Sequence, residues 1–184
     1  MEILLVNACV RKKSRTIKLA RKLAEKLGGN VTEIFLEKER IKPLYGLPLV
    51  DRNIFLASGE LWTEEFEYAR QFAEADAIIF AAPYWDYSFP AIMKIYLETI
   101  NVPGVTFEYT DDGHINGLCK ATAVYYVMTS GRTIDNTTFG YGYIRELART
   151  FWGIRDTHLV KAENLDYPGG NLDDAIDAAI THYR

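Results

Sequence analysis

A chain of 184 residues, 48% hydrophobic and 25% charged, is long enough to bury a continuous core as one domain (1–184) without disulfides or metals. Its net charge of -4 argues against a general nucleic-acid binder, which needs a basic surface for phosphate contacts, and it holds no run of about 18 apolar residues that would cross a bilayer. Cys9 and Cys119 form neither a disulfide framework nor a CxxC metal site, and the apolar opening run carries Glu2 and no basic leader, so the expectation is a soluble, cytoplasmic protein.

In chain order, EILLVN (2–7) is a continuous apolar run, the mark of a strand covered on both faces. Ser14 is placed to cap a helix in which Ile17, Ala20, Ala24 and Leu27 recur on one face, stopped by Gly28 and Gly29. NVTEIFLE (30–37) reads as a second strand. A long loop over 38–62 with Pro43 and Pro48 follows, and TEEFEYARQFAEAD (63–76) reads as a helix with acids in its first turn. AIIFAAP (77–83) is a third, buried strand; past YWDYSF, Pro90 suits the first turn of a helix running to Asn101. VTFEYTDDGHINGLCK (105–120) alternates on both sides of Asp112 and Gly113, the pattern of a hairpin. ATAVYYVMTS (121–130), GYIRELARTFWG (142–153), THLVKAE (157–163) and LDDAIDAAITHY (172–183) supply a fourth strand, a helix, a fifth strand and a last helix.

Strands alternating with helices imply right-handed βαβ crossovers. The predicted fold is α/β, a flavodoxin-like three-layer sandwich with a five-stranded parallel sheet in the order 2-1-3-4-5 and helices on both faces. Ligands bind such a fold beyond the carboxyl ends of the strands, at the switch between strands 1 and 3. That rule sets residues 8–16 and 83–89 across one crevice.

The first of these loops crowds Arg11, Lys12, Lys13 and Arg15 around a helix start. A helix N-terminus already carries about half a positive charge, and each added cation costs about 0.3–1 kcal/mol, so an anion is expected there. Neither GxGxxG nor GxxxxGK[ST] is present. Three readings stay open. Cys9 and Arg15 bracket VRKKS and Thr16 follows, which matches the CxxxxxR[ST] phosphate loop of tyrosine phosphatases, with Cys9 as a thiolate nucleophile and Arg15 as the clamp, though without a glycine in between. Alternatively the lysines are solvated and Cys9 is a small buried residue. In the third reading Ser14, Thr16, helix amides and Arg15 hold the phosphate of a resident cofactor.

Across the crevice, Tyr84, Trp85 and Tyr87 suit the face and edge of a planar ring, while Phe89 reads as packing beneath the next helix and Asp86 as the acid a phosphatase would want. TSGR (129–132) offers hydroxyls, a glycine backbone and one cation, which fit a pyrimidine edge and offset negative charge on a reduced flavin. Phosphate site, aromatic platform and polar edge together describe FMN. Tyr141 and Tyr143 lie near the TSGR turn in sequence, with packing the favoured role. His114, His158 and His182 have no metal-ligand company and read as structural or solvated.

AAPYWDYSFPAIMKIYLETINVPGVTFEYTDDG (81–113), TSGR and GYIRELARTFWGIRDTHLVKAENLDY (142–167) carry a resemblance that runs over nearly the whole chain. It resembles the flavodoxin-like NAD(P)H dehydrogenase (quinone) family, and within it the FMN-dependent NADH azoreductases. The resemblance implies FMN as cofactor, NADH or NADPH as donor, and two-electron ping-pong transfer to a quinone, azo compound or similar flat acceptor. No catalytic side chain is assigned, because the chemistry lies on the flavin. The implied cofactor-binding set is Cys9, Ser14, Arg15 and Thr16 around the phosphate, Pro83, Tyr84, Trp85, Asp86 and Tyr87 along the isoalloxazine, and Thr129, Ser130, Gly131, Arg132 and Thr133 at its polar side. A homodimer is implied too, with Tyr45 and Trp62 either at its interface or in the core. Two departures stand out. Asp86 occupies a position where family members often have Asn, and a carboxylate beside the ring disfavours negative charge on it. Gly131, Arg132, Thr133, Ile134 and Asp135 replace the two glycines and His common in azoreductases. The rival readings are a non-enzymatic FMN electron carrier and a phosphatase using Cys9 and Arg15.

Overall fold

The computed structural model describes residues 1–168, 171–181 and 183. In chain order the elements are β1 (Glu2–Asn7), α1 (Arg15–Leu27), β2 (Asn30–Phe35), α2 (Leu47–Ser58), α3 (Glu67–Glu74), β3 (Ala77–Ala81), α4 (Ala91–Ile100), β4 (Phe107–Tyr109), β5 (Ile115–Gly117), β6 (Ala123–Thr129), α5 (Tyr143–Thr150), β7 (Asp156–Ala162) and α6 (Leu172–Ile180). Five strands form a sheet in the order β2-β1-β3-β6-β7, every neighbouring pair parallel. This is the 2-1-3-4-5 order expected from the sequence.

The alternation of side chains along each strand divides the core. Leu4, Val6, Ile78 and Phe80 face α3, α4 and α5, where Phe72, Tyr96 and Trp152 fill the layer. Ile3, Leu5 and Ile79 face α1 and α6 through Ile17, Leu23 and Ile176. Phe72 and Trp152 meet edge-on, ring centroids 4.7 Å apart, the geometry that aromatic quadrupoles favour. Because both faces are covered, β1 and β3 read as unbroken apolar runs.

Local chemistry sets α1 as expected. The Ser14 side chain accepts from the Ile17 amide at 3.5 Å, and Gly28, at a φ of 71, donates to the Ala24 carbonyl at 3.1 Å. The segment 38–62 differs from the loop expected, because α2 lies within it. Pro48 sits in the first turn of that helix, where its missing amide hydrogen costs nothing. Arg52 of α2 is buried and donates to the carbonyls of Glu98, Thr99 and Asn101 at the end of α4, so a tertiary cap holds this helix in place. The helix expected over 63–76 begins with a 3-10 turn, Glu64–Phe66, before α3. β3 ends at Ala81 and β6 begins at Ala123, each two residues inside the expected limit.

The expected hairpin forms as β4 and β5, with Phe107 opposite Gly117. It docks on α5 through Phe107 and Phe151, centroids 4.9 Å apart. A Cβ at Gly117 would fall 2.0 Å from the Gly153 amide nitrogen, so only glycine allows this approach. A π-helical turn, Thr138–Gly142, leads into α5. Trp62 is 83% exposed and Tyr45 72%, which removes both from the core. His114 is exposed in the hairpin turn, and His158 stacks on Tyr125 at 4.8 Å. His182 lies outside the described residues. Among those described, no three or more His, Cys, Asp or Glu side chains gather as they would to hold a metal ion, and no helix is long and apolar enough to cross a membrane.

Candidate functional site

The connection from β1 leaves toward the α1 face of the sheet and that from β3 toward the α4 face. Beyond the paired strand ends the two connections therefore part and open a crevice of about 210 Å³, lined by the first loop, the aromatic loop, the loop after β6 and Asp166.

Cys9, Ser14, Arg15 and Thr16 all line it. The amides of the first turn of α1 have no carbonyl four residues back, so they remain available to an anion. Thr16 is buried, its hydroxyl 2.7 Å from that of Thr129, which ties the first loop to the end of β6. Cys9 is 3% exposed; its amide donates to Asn7 Oδ1 at 2.9 Å and its thiol to the Ala81 carbonyl at 3.5 Å. Asn7 is fixed in turn by Glu33, which Arg21 holds with two hydrogen bonds. Burial pushes the Cys9 thiol up to about 11, against the smaller opposing effect of the Ser14 hydrogen bond. At neutral pH Cys9 is a thiol, not the thiolate a phosphatase needs.

The basic cluster is put to several uses. Arg15 Nη1 donates to the Leu165 carbonyl at 3.0 Å and to Asp166 Oδ1 at 2.7 Å. Asp166, 151 residues further along, also lines the crevice and was not singled out from the sequence. No local signal marks it; its place follows from the return of β7. Arg11 lies 5.9 Å from the Trp85 ring centroid, a cation–π contact that joins the first loop to the aromatic loop. Lys12 and Lys13 are exposed, and Lys13 lines the crevice.

In the aromatic loop, Pro83, Tyr84 and Trp85 line the crevice, whereas Asp86 and Tyr87 stand outside it on an exposed turn. Trp85 and Ser88 exchange backbone hydrogen bonds of 3.1 and 2.7 Å, which makes Asp86 and Tyr87 the two central residues. Both are left-handed, with φ of 49 and 67. Such turns favour Asn-Gly, and a non-glycine residue held there costs about 1–3 kcal/mol. Tyr84 anchors the loop, its amide on the Thr129 carbonyl at 3.2 Å and its hydroxyl on the Asn136 carbonyl at 2.8 Å. Phe89 is partly buried against the core and packs on Tyr143 of α5, centroids 6.0 Å apart. Tyr141 donates to the Thr157 carbonyl at 3.0 Å, so it too has a packing role.

After β6, Thr129, Ser130 and Gly131 line the crevice, but Arg132 and Thr133 do not. Arg132 lies 5.2 Å over the Tyr167 ring and Thr133 donates to Asn164 Oδ1 at 3.0 Å, both drawn to the chain leaving β7. Gly131 leaves room for the Asp166 carboxylate, which a Cβ at that position would push aside.

The donor set suits a phosphate. Arg11, Lys13 and Arg15 face one carboxylate, Asp166, which leaves positive potential to balance the charge of about -1.5 to -2 on a phosphate monoester. The Tyr84–Trp85 wall suits the flat group such a phosphate carries.

The family model described as flavodoxin-like fold matches residues 1–184. The chain belongs to that flavodoxin-like family. Among individual relatives, the FMN-dependent NADH:quinone oxidoreductase of Clostridium perfringens is 38% identical over 116 residues, 62% of this chain and 58% of the relative. The enzyme of the same name from Clostridium beijerinckii is 39% identical over 116 residues, again 58% of its length. Sequence similarity thus spans less than two thirds of the curated relatives. Among solved structures, an azoreductase of Bacillus anthracis superposes with a TM-score of 0.79 at 22% identity, over 98% of this chain and 95% of that one. An FMN-dependent NADH-azoreductase of the same organism, solved in complex with FMN, gives 0.76 at 20% identity over 98% and 96% of the two chains. At such identities these structures speak to the fold.

Proposed function

We propose that this chain is an FMN-dependent NAD(P)H oxidoreductase that reduces quinones, azo compounds or similar flat acceptors. The observation that carries this reading is the joining of an anion-binding helix start to an aromatic wall across one crevice, through Arg11 and Trp85. Ser14, Thr16, Arg15 and the first-turn amides of α1 hold the phosphate, and Cys9 packs behind them as a neutral thiol. Tyr84 and Trp85 cover the ring, Tyr87 and Asp86 stand at its outer rim, and Thr129, Ser130 and Gly131 meet its polar edge. Arg132 and Thr133 shape that edge by anchoring it to the loop after β7. When bound, FMN supplies the hydride chemistry, taking two electrons from NADH or NADPH and passing them to the acceptor in ping-pong order. The side chains orient both partners and exclude water, so no strongly shifted acid or base is required.

The names of the two clostridial relatives support quinone reduction with NADH. The reading includes residues 1–184 as one domain, a cytoplasmic setting in keeping with two free thiols, and a homodimer. Exposed Tyr45, Leu47, Ile54 and Trp62, on and around α2, support the dimer, because so much apolar surface in one region of a monomer is uncommon. A phosphatase is disfavoured by the protonated, buried Cys9. A flavodoxin-type carrier is disfavoured by the basic first loop, since partner docking in such carriers relies on an acidic rim.

Steady-state oxidation of NADH by the FMN-reconstituted protein, with a soluble benzoquinone and no other protein, tests the reading. Turnover is the expected result. FMN binding without turnover would support the carrier instead, and a protein that rejects FMN but hydrolyses an aryl phosphate would support the phosphatase.

A further inference from the structure

Tyr87 is the crevice-rim residue that folding explains least. Its φ of 67 belongs to a turn position favoured by Gly or Asn, and its side chain is 59% exposed, so burial does not compensate for the strain. Strain of this kind persists only where surrounding contacts over-determine it, and it gathers at ligand clamps. Two side-chain hydrogen bonds supply that constraint here. Ser88 donates its hydroxyl to the Phe139 carbonyl at 2.9 Å, and Tyr84 donates to the Asn136 carbonyl. Both acceptors lie in one segment, residues 136–142, which enters and forms the π-helical turn before α5. That turn is closed by Gly142 donating to the Thr137 carbonyl at 2.8 Å, five residues back. Gly140 faces the same contact: a Cβ there would crowd the buried Tyr126 hydroxyl at 3.0 Å and touch Ser88 Cα at an ordinary 3.8 Å.

We infer that Ser88, acting through the Phe139 carbonyl, is a positioning residue that locks the strained turn so that the ring of Tyr87, edge-on to Tyr84 at 6.3 Å, is fixed at the acceptor side of the crevice. The inference rests on the oxidoreductase reading. It separates two tasks: the first loop retains the cofactor, and the braced turn sets how well a flat acceptor is held.

The test uses Tyr87→Gly, Ser88→Ala and Ser88→Thr, each measured without and with FMN. Tyr87→Gly is expected to raise the melting temperature of the FMN-free protein by about 2–4 °C, because it releases backbone strain, while raising the KM for a benzoquinone about fivefold. Ser88→Ala is expected to give the same KM rise with a lower melting temperature and a shift in the bound-flavin absorption band. Ser88→Thr, which keeps the hydroxyl, is expected to restore the wild-type KM and band. A lower melting temperature in Tyr87→Gly would overturn the claim that strain is held there for function. Wild-type KM and spectrum in Ser88→Ala of an FMN-loaded, quinone-reducing protein would overturn the brace alone. A wild-type protein that binds no FMN would overturn the functional reading and this inference with it.

Discussion

The first loop and the aromatic turn face each other across the crevice, yet they are built by opposite means. Residues 8–16 follow the local rules of backbone preference, Ser14 capping α1, although their side chains are also tied to Ala81, Thr129, Leu165 and Asp166. Residues 84–88 break those rules, with two non-glycine residues in left-handed backbone held by carbonyls about fifty residues away, at separations of 52 and 51. A loop that agrees with its own propensities keeps its backbone shape without opposing strain, whatever distant partners its side chains take. A loop that opposes them takes its shape from whatever holds it. The backbone of the anion-binding loop is therefore set locally, while the backbone of the aromatic wall is set by tertiary contacts.

Removing the hydroxyls of the first loop gives the largest expected effect. Ser14→Ala combined with Thr16→Ala should weaken FMN binding at least roughly 100-fold, since each lost hydrogen bond to a charged phosphate is worth about 1.5–3 kcal/mol. Titration of flavin fluorescence measures it. Unchanged affinity would move the phosphate elsewhere and dissolve the contrast between the two loops. Ser14→Ala alone should also cost about 1 kcal/mol of stability through the lost cap.

Cys9 gives the next effect, through pH. Its thiol is raised by burial to about 11 from 9.0, so the folded protein keeps a proton that the unfolded chain has released between those values. Stability from this thiol is complete below about pH 9 and is lost as pH rises toward 11, about 2–3 kcal/mol in all. Urea unfolding across that range should show a shallower decline in Cys9→Ala than in the wild type. An equal decline in both would mean that the thiol is more accessible than its packing against Ala81 indicates, and would reopen the nucleophile reading.

The smallest expected effect belongs to the Arg15–Asp166 pair. Both side chains are partly exposed, 32% and 60%, and such pairs couple by about 0–1 kcal/mol. A double-mutant cycle on stability with Arg15→Met and Asp166→Asn should return a value in that range. A larger coupling would mean that the first loop, like the aromatic turn, depends on a distant brace.

Much of this was legible along the chain because the signals were local or periodic. The apolar runs of β1 and β3, the Ser14 cap, the glycines after α1 and the alternation around Asp112 each act within a few residues, and the sheet order followed from the alternation of elements. The sequence missed α2, whose Pro43 and Pro48 surroundings resemble a loop until Arg52 is seen docking on the end of α4. Aromatic and polar composition and the family resemblance grouped Asp86, Tyr87, Arg132 and Thr133 with the crevice residues, whereas the turn at 85–88 and the pull of the chain after β7 carry them outside its lining.

By itself the sequence determined the layered α/β sheet and the pairing of a hydroxyl-rich helix start with an aromatic loop, since both are written in periods of two to four residues and in short motifs, and its longer stretches carried the family resemblance. Only the tertiary structure decided that Cys9 is a protonated thiol, that Arg15 shares its charge with Asp166, and that Tyr87 is held against its backbone preference. Each of these depends on burial or on contacts between residues far apart in the chain, and no local pattern encodes where such distant groups will meet.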